Sequence, residues 1–326
     1  MSQRSSPIRI GTRGSRLAIW QTEWVRSRLR AAGYETDRVE IKTTGDLVPD
    51  VSLAQVGSRA LFTKQIDDAL LEGRIDLAVH SFKDLPTQLP HGITIAAIGP
   101  REDPTDALVG RSSIVLGELP KHGVVATSSL RRKAQLLNLR PDLHVVDVRG
   151  NVETRIAKLE GQSAWSATVL ATAGLVRLGL HHRIGERIPT EKMLPAPGQG
   201  ALALTVRTGD SRIEAAARET AHDPVTAFAV LAERGFLGRL EGGCQVPIAA
   251  YAVVSETGAG RALRLQGRVL SLSGERKVDG EEQGVASVEA DAEAIGVRLA
   301  ERLLRNGAAE LLSEMRGSVV PLVPEP

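Results

Sequence analysis

Ile8-Arg9-Ile10-Gly11-Thr12-Arg13-Gly14-Ser15 decides how the chain is read. A short strand leaves its sheet at Gly11 to Gly14, and from Ser15 a helical pattern takes over. Leu17, Trp24, Val25 and Leu29 lie on one face of it, and Gly33 is its stop. Strand, glycine turn and capped helix open an α/β unit. They also form an anion site, because the first N–H groups of a helix have no intrahelical acceptor and the helix dipole favours negative charge there. Arg13 stands at that mouth and reads either as a solvated surface cation or as a ligand contact.

The arrangement recurs. Gly123-Val124-Val125-Ala126 is strand-like and breaks into Thr127-Ser128-Ser129, cap residues for a helix over Leu130 to Leu139. Arg131 and Arg132 then fall in the first helical turn, where cations are disfavoured, and this placement predicts a negatively charged ligand. His144 to Val148 is a strand ending in Arg149-Gly150-Asn151, followed by a helix carrying Arg155. Ala167 to Ala171 leads into Ala173-Gly174-Leu175-Val176-Arg177. Ile75 to Val79 is a buried-type strand running into His80-Ser81-Phe82-Lys83-Asp84-Leu85-Pro86. Open α/β sheets bind ligands at the carboxyl ends of their strands, so Asp84 is the first candidate for chemistry, with a turn before Pro86 as its alternative role.

Between these units, Val39 to Thr43 reads as a strand, Gly45 to Arg59 as a mobile loop, and about Ala60 to Glu72 as a helix with Leu61, Phe62, Ile66 and Leu70 on its apolar face. Pro100 to Pro104 and Met193 to Gly200 break the pattern, and Ala201 to Val206 is again a strand. Two crossings near 102 and 197 let the chain return to its first sheet and make a hinge. From about 222 the style changes: a helix to Leu240, alternating strands at Ala249 to Val254 and Ala262 to Leu270, and a helix with Ile295, Leu299 and Leu303 that stops at Asn306-Gly307. The predicted architecture is α/β: two doubly wound lobes with a hinge and cleft, plus a smaller C-terminal α+β domain. The boundaries are 1–101 with 198–219 for the first lobe, 102–197 for the second, and 220–326 for the third domain.

The third domain carries Leu240-Glu241-Gly242-Gly243-Cys244-Gln245-Val246-Pro247, with the only cysteine among 326 residues. A lone thiol makes neither an intramolecular disulfide nor a Cys-Cys metal pair, so Cys244 is an inert small hydrophobe or a lone nucleophile. Two preceding glycines and a following proline make a turn that presents the side chain.

Composition sets limits. Forty-one Lys and Arg against 39 Asp and Glu, with three Trp, two Tyr and four Phe, argue against a nucleic-acid binder. No apolar run approaches the roughly 20 residues of a membrane span, and no export segment follows the polar start, so a cytoplasmic protein is expected. Gly198-Gln199-Gly200 precedes a strand and lacks a third glycine, which sets aside a dinucleotide fingerprint. His181-His182 are adjacent and have no thiol or carboxylate pair beside them; no metal site is expected. A two-lobed organic-acid binder is the rival class, against which stand the missing export segment and the presented cysteine.

Six stretches resemble one enzyme family, the porphobilinogen deaminases or hydroxymethylbilane synthases. They are Gly11 to Ser15, Ala78 to Pro86, Arg101 to Pro104, Thr127 to Arg132, Leu143 to Asn151 and Leu240 to Pro247, in family order over nearly the whole chain. The resemblance implies a transferase of porphyrin and haem biosynthesis that joins four porphobilinogens head to tail, releases four ammonia molecules and yields hydroxymethylbilane. It implies a dipyrromethane cofactor held by a thioether to Cys244, two lobes like those of periplasmic binding proteins, and a monomer without nucleic-acid or membrane partners. It makes Asp84 the catalytic aspartate, assisted by Lys83. It assigns Arg13, Ser15, Lys83, Thr127, Ser129, Arg131, Arg132, Arg149, Arg155, Arg177 and Gln199 to cofactor and substrate carboxylates, and Phe62 to packing against a pyrrole. The chemistry suits these residue types: each pyrrole brings an acetate and a propionate, which guanidinium forks bind bidentately. Loss of ammonia leaves a cation that a carboxylate stabilises. The chain departs from its relatives at Thr44 and Gln55, where an arginine and a lysine are usual, while Arg59 keeps its charge.

Overall fold

The computed structural model describes residues 6–43, 63–240, 246–257 and 260–317. Strand β1 (Ile8–Thr12) pairs parallel with β2 (Thr36–Glu40) and with β3 (Leu77–Ser81), and β4 (Ile93–Ile98) closes the far edge of this first sheet. Helix α1 (Arg16–Ala31) is capped by the Ser15 hydroxyl, which accepts from Ala18 N–H; it buries Val25 and Leu29 against Ile8, Ile10 and Leu77. Helix α2 (Lys64–Leu71) buries Ile66 and Leu70 against Ile41 and Ile75. The strand expected over Val39 to Thr43 lies earlier, because Thr36–Glu40 is the stretch in register with β1.

The chain then crosses to a second sheet. Strand β5 (Asp106–Gly110) is followed by β6 (Val124–Ala126), α3 (Leu130–Leu139), β7 (His144–Val146), α4 (Val152–Gly161), β8 (Trp165–Ala171), α5 (Thr172–Arg177) and β9 (Glu186–Ile188), in sheet order β7-β6-β8-β5-β9. Leu108, Val125, Leu136 and Val169 fill its core. The return crossing delivers β10 (Leu202–Arg207) between β3 and β4 of the first sheet. In both sheets the strand that follows a crossing is the antiparallel one: β5 against β8 and β9, β10 against β3 and β4.

Two glycines shape the return. Gly198 and Gly200 have φ of 76° and 93°, and a Cβ there would meet the Phe82 ring at 2.2 Å and the Glu102 carbonyl oxygen at 2.3 Å. The crossing is held that tightly against the first lobe and the outgoing crossing.

Helix α6 (Ser211–Ala221) completes the first lobe's cover, and α7 (Pro224–Arg239) opens the third unit with Pro at its start and an Asp223 cap. Ala227 and Val230 of α7 pack with Phe82, Leu85, Ile98 and Ala201, which seats this unit on the first lobe. Its sheet is antiparallel: β11 (Ile248–Thr257), β12 (Gly260–Leu270) and β13 (Lys277–Ala286), covered by α8 (Glu289–Leu303). The strands are longer than the sequence suggests, and β13 carries no apolar alternation. Its inward positions include Gly280 and Gly284, where a Cβ would meet Leu303 at 2.7 Å and Ile295 at 2.9 Å, so α8 packs on bare backbone. Helix α8 runs on into one wider turn, Leu304–Ala308, where the expected stop at Asn306-Gly307 breaks helical geometry, Gly307 having φ 105°, and α9 (Ala309–Gly317) follows.

Candidate active site

The carboxyl ends of β1 and β3 and the turns after β6 and β7 face one cleft. After β3, a single turn of 3-10 helix over Phe82–Asp84 buries Phe82 beneath the first lobe and leaves Asp84 exposed in the cleft. Beside it lies a recess lined by Arg13, Ser15, Gln21, His80, Ser81 and Asp84, at the N-terminus of α1. Gln21 is 3% exposed and donates its amide to the Ser81 hydroxyl at 2.9 Å. The His80 ring stands 3.2 Å from the Thr205 hydroxyl; burial, and to a lesser extent Arg13, push it down to about 4, so it is a neutral imidazole at physiological pH.

Lys83 donates to the Gln199 side-chain carbonyl at 3.1 Å. Burial and then the charge of Arg132 push its amine down to about 8, against the opposing pull of Asp84 and Asp106. Gln199, fully buried, lies in the cleft floor, but its amide donors face Pro104 O, Thr105 O and the Asp106 carboxylate at 2.8, 3.2 and 3.0 Å.

Across the cleft, Ser129 caps α3 and Thr127 is buried behind it, accepting from Ser129 N–H. Arg131 and Arg132 are each 6% exposed. Their placement predicts a negatively charged ligand; the negative charge they meet in the structure is a side chain of the chain itself. Arg131 places its Nη groups on Asp106 at 2.6 and 3.2 Å and on Leu194 O at 2.7 Å. Arg132 donates Nε to Asp106 at 2.9 Å and Nη1 to Val169 O at 3.1 Å. Two guanidinium groups and an amide on one buried carboxylate hold Asp106 well below the usual carboxylate range.

Arg155 and Arg149 complete the basic wall. Arg155 donates to Gly150 O at 2.8 Å; burial and the neighbouring Arg132 and Arg149 push its guanidinium down to about 10, with Asp84 opposing from the first lobe. Arg177 directs Nη2 to Gly200 O at 2.6 Å, and burial lowers it to about 10. The structure therefore gathers Arg13, Ser15, Lys83, Asp84, Thr127, Ser129, Arg132, Arg149 and Arg155 around the cleft. Arg131, Arg177 and Gln199 sit in its floor, their donor groups turned to the chain's own carbonyls and Asp106. Phe62 and Cys244, with Thr44, Gln55 and Arg59, lie outside the described residues.

Sequence reasoning missed Gln21, His80 and Asp106. Gln21 has a signal, a polar residue at the i+4 spacing between Leu17 and Val25 on an apolar helix face. Asp106 has none, because it opens a strand that the pattern does not mark.

Among the described residues no group of three or more His, Cys, Asp and Glu is placed to hold a metal ion, and no helix is long and apolar enough to cross a membrane.

Residues 8–215 match the family domain described as porphobilinogen deaminase, dipyromethane cofactor binding domain, and residues 227–305 match porphobilinogen deaminase, C-terminal domain. A curated porphobilinogen deaminase of Geotalea uraniireducens is 48% identical over 94% of this chain and 94% of its own. That of Moorella thermoacetica is 50% identical over 95% and 96%. Among solved structures, a nutrient binding protein from Burkholderia cenocepacia bound to methionine aligns at 15% identity over 68% of this chain and 93% of its own, with a TM-score of 0.42.

Proposed function

The chain belongs to the porphobilinogen deaminase family, and from that premise we propose which of its residues carry the reaction. The activity itself is the stepwise head-to-tail condensation of four porphobilinogens to hydroxymethylbilane in tetrapyrrole biosynthesis, with loss of four ammonia molecules, on a dipyrromethane cofactor. When bound, that cofactor supplies a covalent pyrrole primer for chain growth.

The described floor fits a polyacidic group. Arg132 and Arg149 stand close enough to Arg155 to add to burial in lowering its proton affinity, a crowding of like charge that carboxylates relieve. This observation carries the assignment: Arg13, Arg132, Arg149 and Arg155, with Lys83, Ser15, Thr127 and Ser129, hold the acetates and propionates of primer and substrate. Arg131, Arg177 and Gln199 support them from the floor. Cys244 is the attachment point and Phe62 packs on a pyrrole ring.

Asp84 is the charge partner of the reacting centre. Departure of ammonia leaves positive charge on the substrate's methylene carbon and pyrrole, and the carboxylate at the turn after β3 stabilises it. The same oxygens accept the pyrrole N–H, which orients the ring for attack by the chain end. Lys83 stands next to it with an amine lowered to about 8, fit to hold a carboxylate when charged and to move a proton near neutral pH.

We further assign the first lobe to 1–101 with 198–219, the second to 102–197 and the third domain to 220–326. The reading includes a cytoplasmic monomer that engages no nucleic acid, in keeping with a formal charge of +2.

The assignment of the arginines is tested by intact-mass analysis after a limiting dose of porphobilinogen. Arg155→Leu is expected to form holoprotein and then accumulate early elongation species; the same ladder of masses as the parent would remove Arg155 from the site.

A further inference from the structure

Asp106 belongs to none of the glycine turns that supply the cleft, yet it is fully buried and pairs with two guanidinium groups. It opens β5 on the second lobe, immediately after the outgoing crossing. Its oxygens receive Arg131 Nη1 and Nη2 at 2.6 and 3.2 Å, Arg132 Nε and Nη2 at 2.9 and 2.8 Å, and Gln199 Nε2 at 3.0 Å.

The orientation of the Gln199 amide follows from those contacts. Its nitrogen has three acceptors around it, Pro104 O, Thr105 O and Asp106, so the amide oxygen points the other way, to the first lobe. There it accepts from Lys83 Nζ at 3.1 Å. A single line therefore runs from a carboxylate on the second lobe, through the return crossing, to an amine on the first. The same carboxylate fixes the plane of Arg132 by two donors.

We propose that Asp106 is a positioning residue: through Gln199 it fixes the ammonium of Lys83 at the cleft floor, and directly it fixes the guanidinium of Arg132, so that the cations of both lobes are set from one buried carboxylate.

The inference rests on the assignment of Lys83 and Arg132 to the carboxylates of primer and substrate. It explains why two adjacent arginines are tolerated in the first turn of α3: one of their two charges is already balanced, and the remainder is left for ligand. It also explains how a half-buried lysine close to two arginines keeps its charge. Among the described residues, the groups acting on Lys83 are Asp84 on its own turn, Asp106 on β5, and Arg131 and Arg132 on α3. The two arginines favour the neutral amine and the two carboxylates the ammonium. Removing the Asp106 charge, or the Gln199 oxygen that accepts from the ammonium, shifts that balance toward the neutral amine.

The test is an NMR titration of lysine 13Cε signals in the holoenzyme, with the Lys83 signal identified by its loss in Lys83→Met. Asp106→Asn leaves two buried guanidinium groups without a counter-ion and is prone to misfold; Gln199→Met cuts the link while keeping the Asp106 pairs. Lys83 is expected to titrate near pH 8 in the parent. In Gln199→Met its midpoint moves to lower pH by about one unit, and at least as far in Asp106→Asn if that variant folds. The alkaline limb of kcat/KM moves with it. An unchanged midpoint in folded Gln199→Met holoenzyme would overturn the inference. A moved midpoint with an unmoved rate profile would uphold the positioning by Asp106 and remove Lys83 from the chemistry instead.

Discussion

Glu233 receives the guanidinium of Arg101 on both carboxylate oxygens, at 2.6 and 3.1 Å, and is itself fully buried. Arg101 stands on the outgoing crossing. The same carboxylate accepts the N–H of Gly198 on the return crossing at 2.6 Å and of Ala252 on β11 at 2.8 Å. One side chain of the third domain thus ties both strands of the hinge to that domain's sheet.

Breaking this knot leaves a buried charge without a partner, which typically costs about 3–5 kcal/mol. Arg101→Ala and Glu233→Ala are each expected to lower the unfolding free energy by that much in urea titrations. A loss under about 1 kcal/mol in both would mean that the hinge is held elsewhere.

Asp84→Ala removes the charge partner and little packing, since Asp84 is exposed at its turn. Cofactor-bearing protein of unchanged thermal stability is expected, with turnover of porphobilinogen reduced by about two to three orders of magnitude. Near-normal turnover would take Asp84 out of the mechanism.

Asp67 is buried in α2, where desolvation pushes its carboxyl up to about 6 against the Thr63 hydroxyl that favours the anion. The unfolded chain titrates near about 3.9, so the folded state holds the proton more tightly and loses stability as pH rises from about 4 through 6. Asp67→Asn is neutral throughout and is expected to raise Tm by a few degrees at pH 8 but not at pH 4. Equal shifts at the two pH values would contradict this account.

Arg16 of α1 and Glu153 of α4 meet at 3.1 Å from opposite walls of the cleft, without hydrogen-bond alignment, and Arg16 is largely exposed. Charge attraction is what such a pair has, and solvent screens it. A double-mutant cycle with Arg16→Ala and Glu153→Ala is expected to give a coupling below about 1 kcal/mol that vanishes in 1 M salt. A larger, salt-insensitive coupling would make this contact a true lobe lock.

The turns that carry the cleft were legible because each is a local event: a strand ends, glycine or serine follows, a helix begins. Ser15 and Ser129 cap their helices by hydrogen bonds spanning three residues, and nothing distant is needed to see them. Asp106 and Glu233 were not legible for the converse reason. Asp106 meets Gln199 across 93 positions and Glu233 meets Arg101 across 132, so neither partner is visible in any window around the residue. Strand β13 was hidden differently, since glycines at its inward positions erase the alternation that marks a half-buried strand. The arginine pair at 131 and 132 points to a ligand when read alone, whereas the anion the structure sets against it is Asp106, which the sequence pattern does not mark.

The central claim, that growth proceeds from a primer tethered by sulfur at Cys244, is met most directly by the intact mass of the purified holoprotein. The account predicts a chain heavier than its sequence by two linked pyrroles, an increment lost in Cys244→Ala. Protein of plain sequence mass that still turned over porphobilinogen would contradict it.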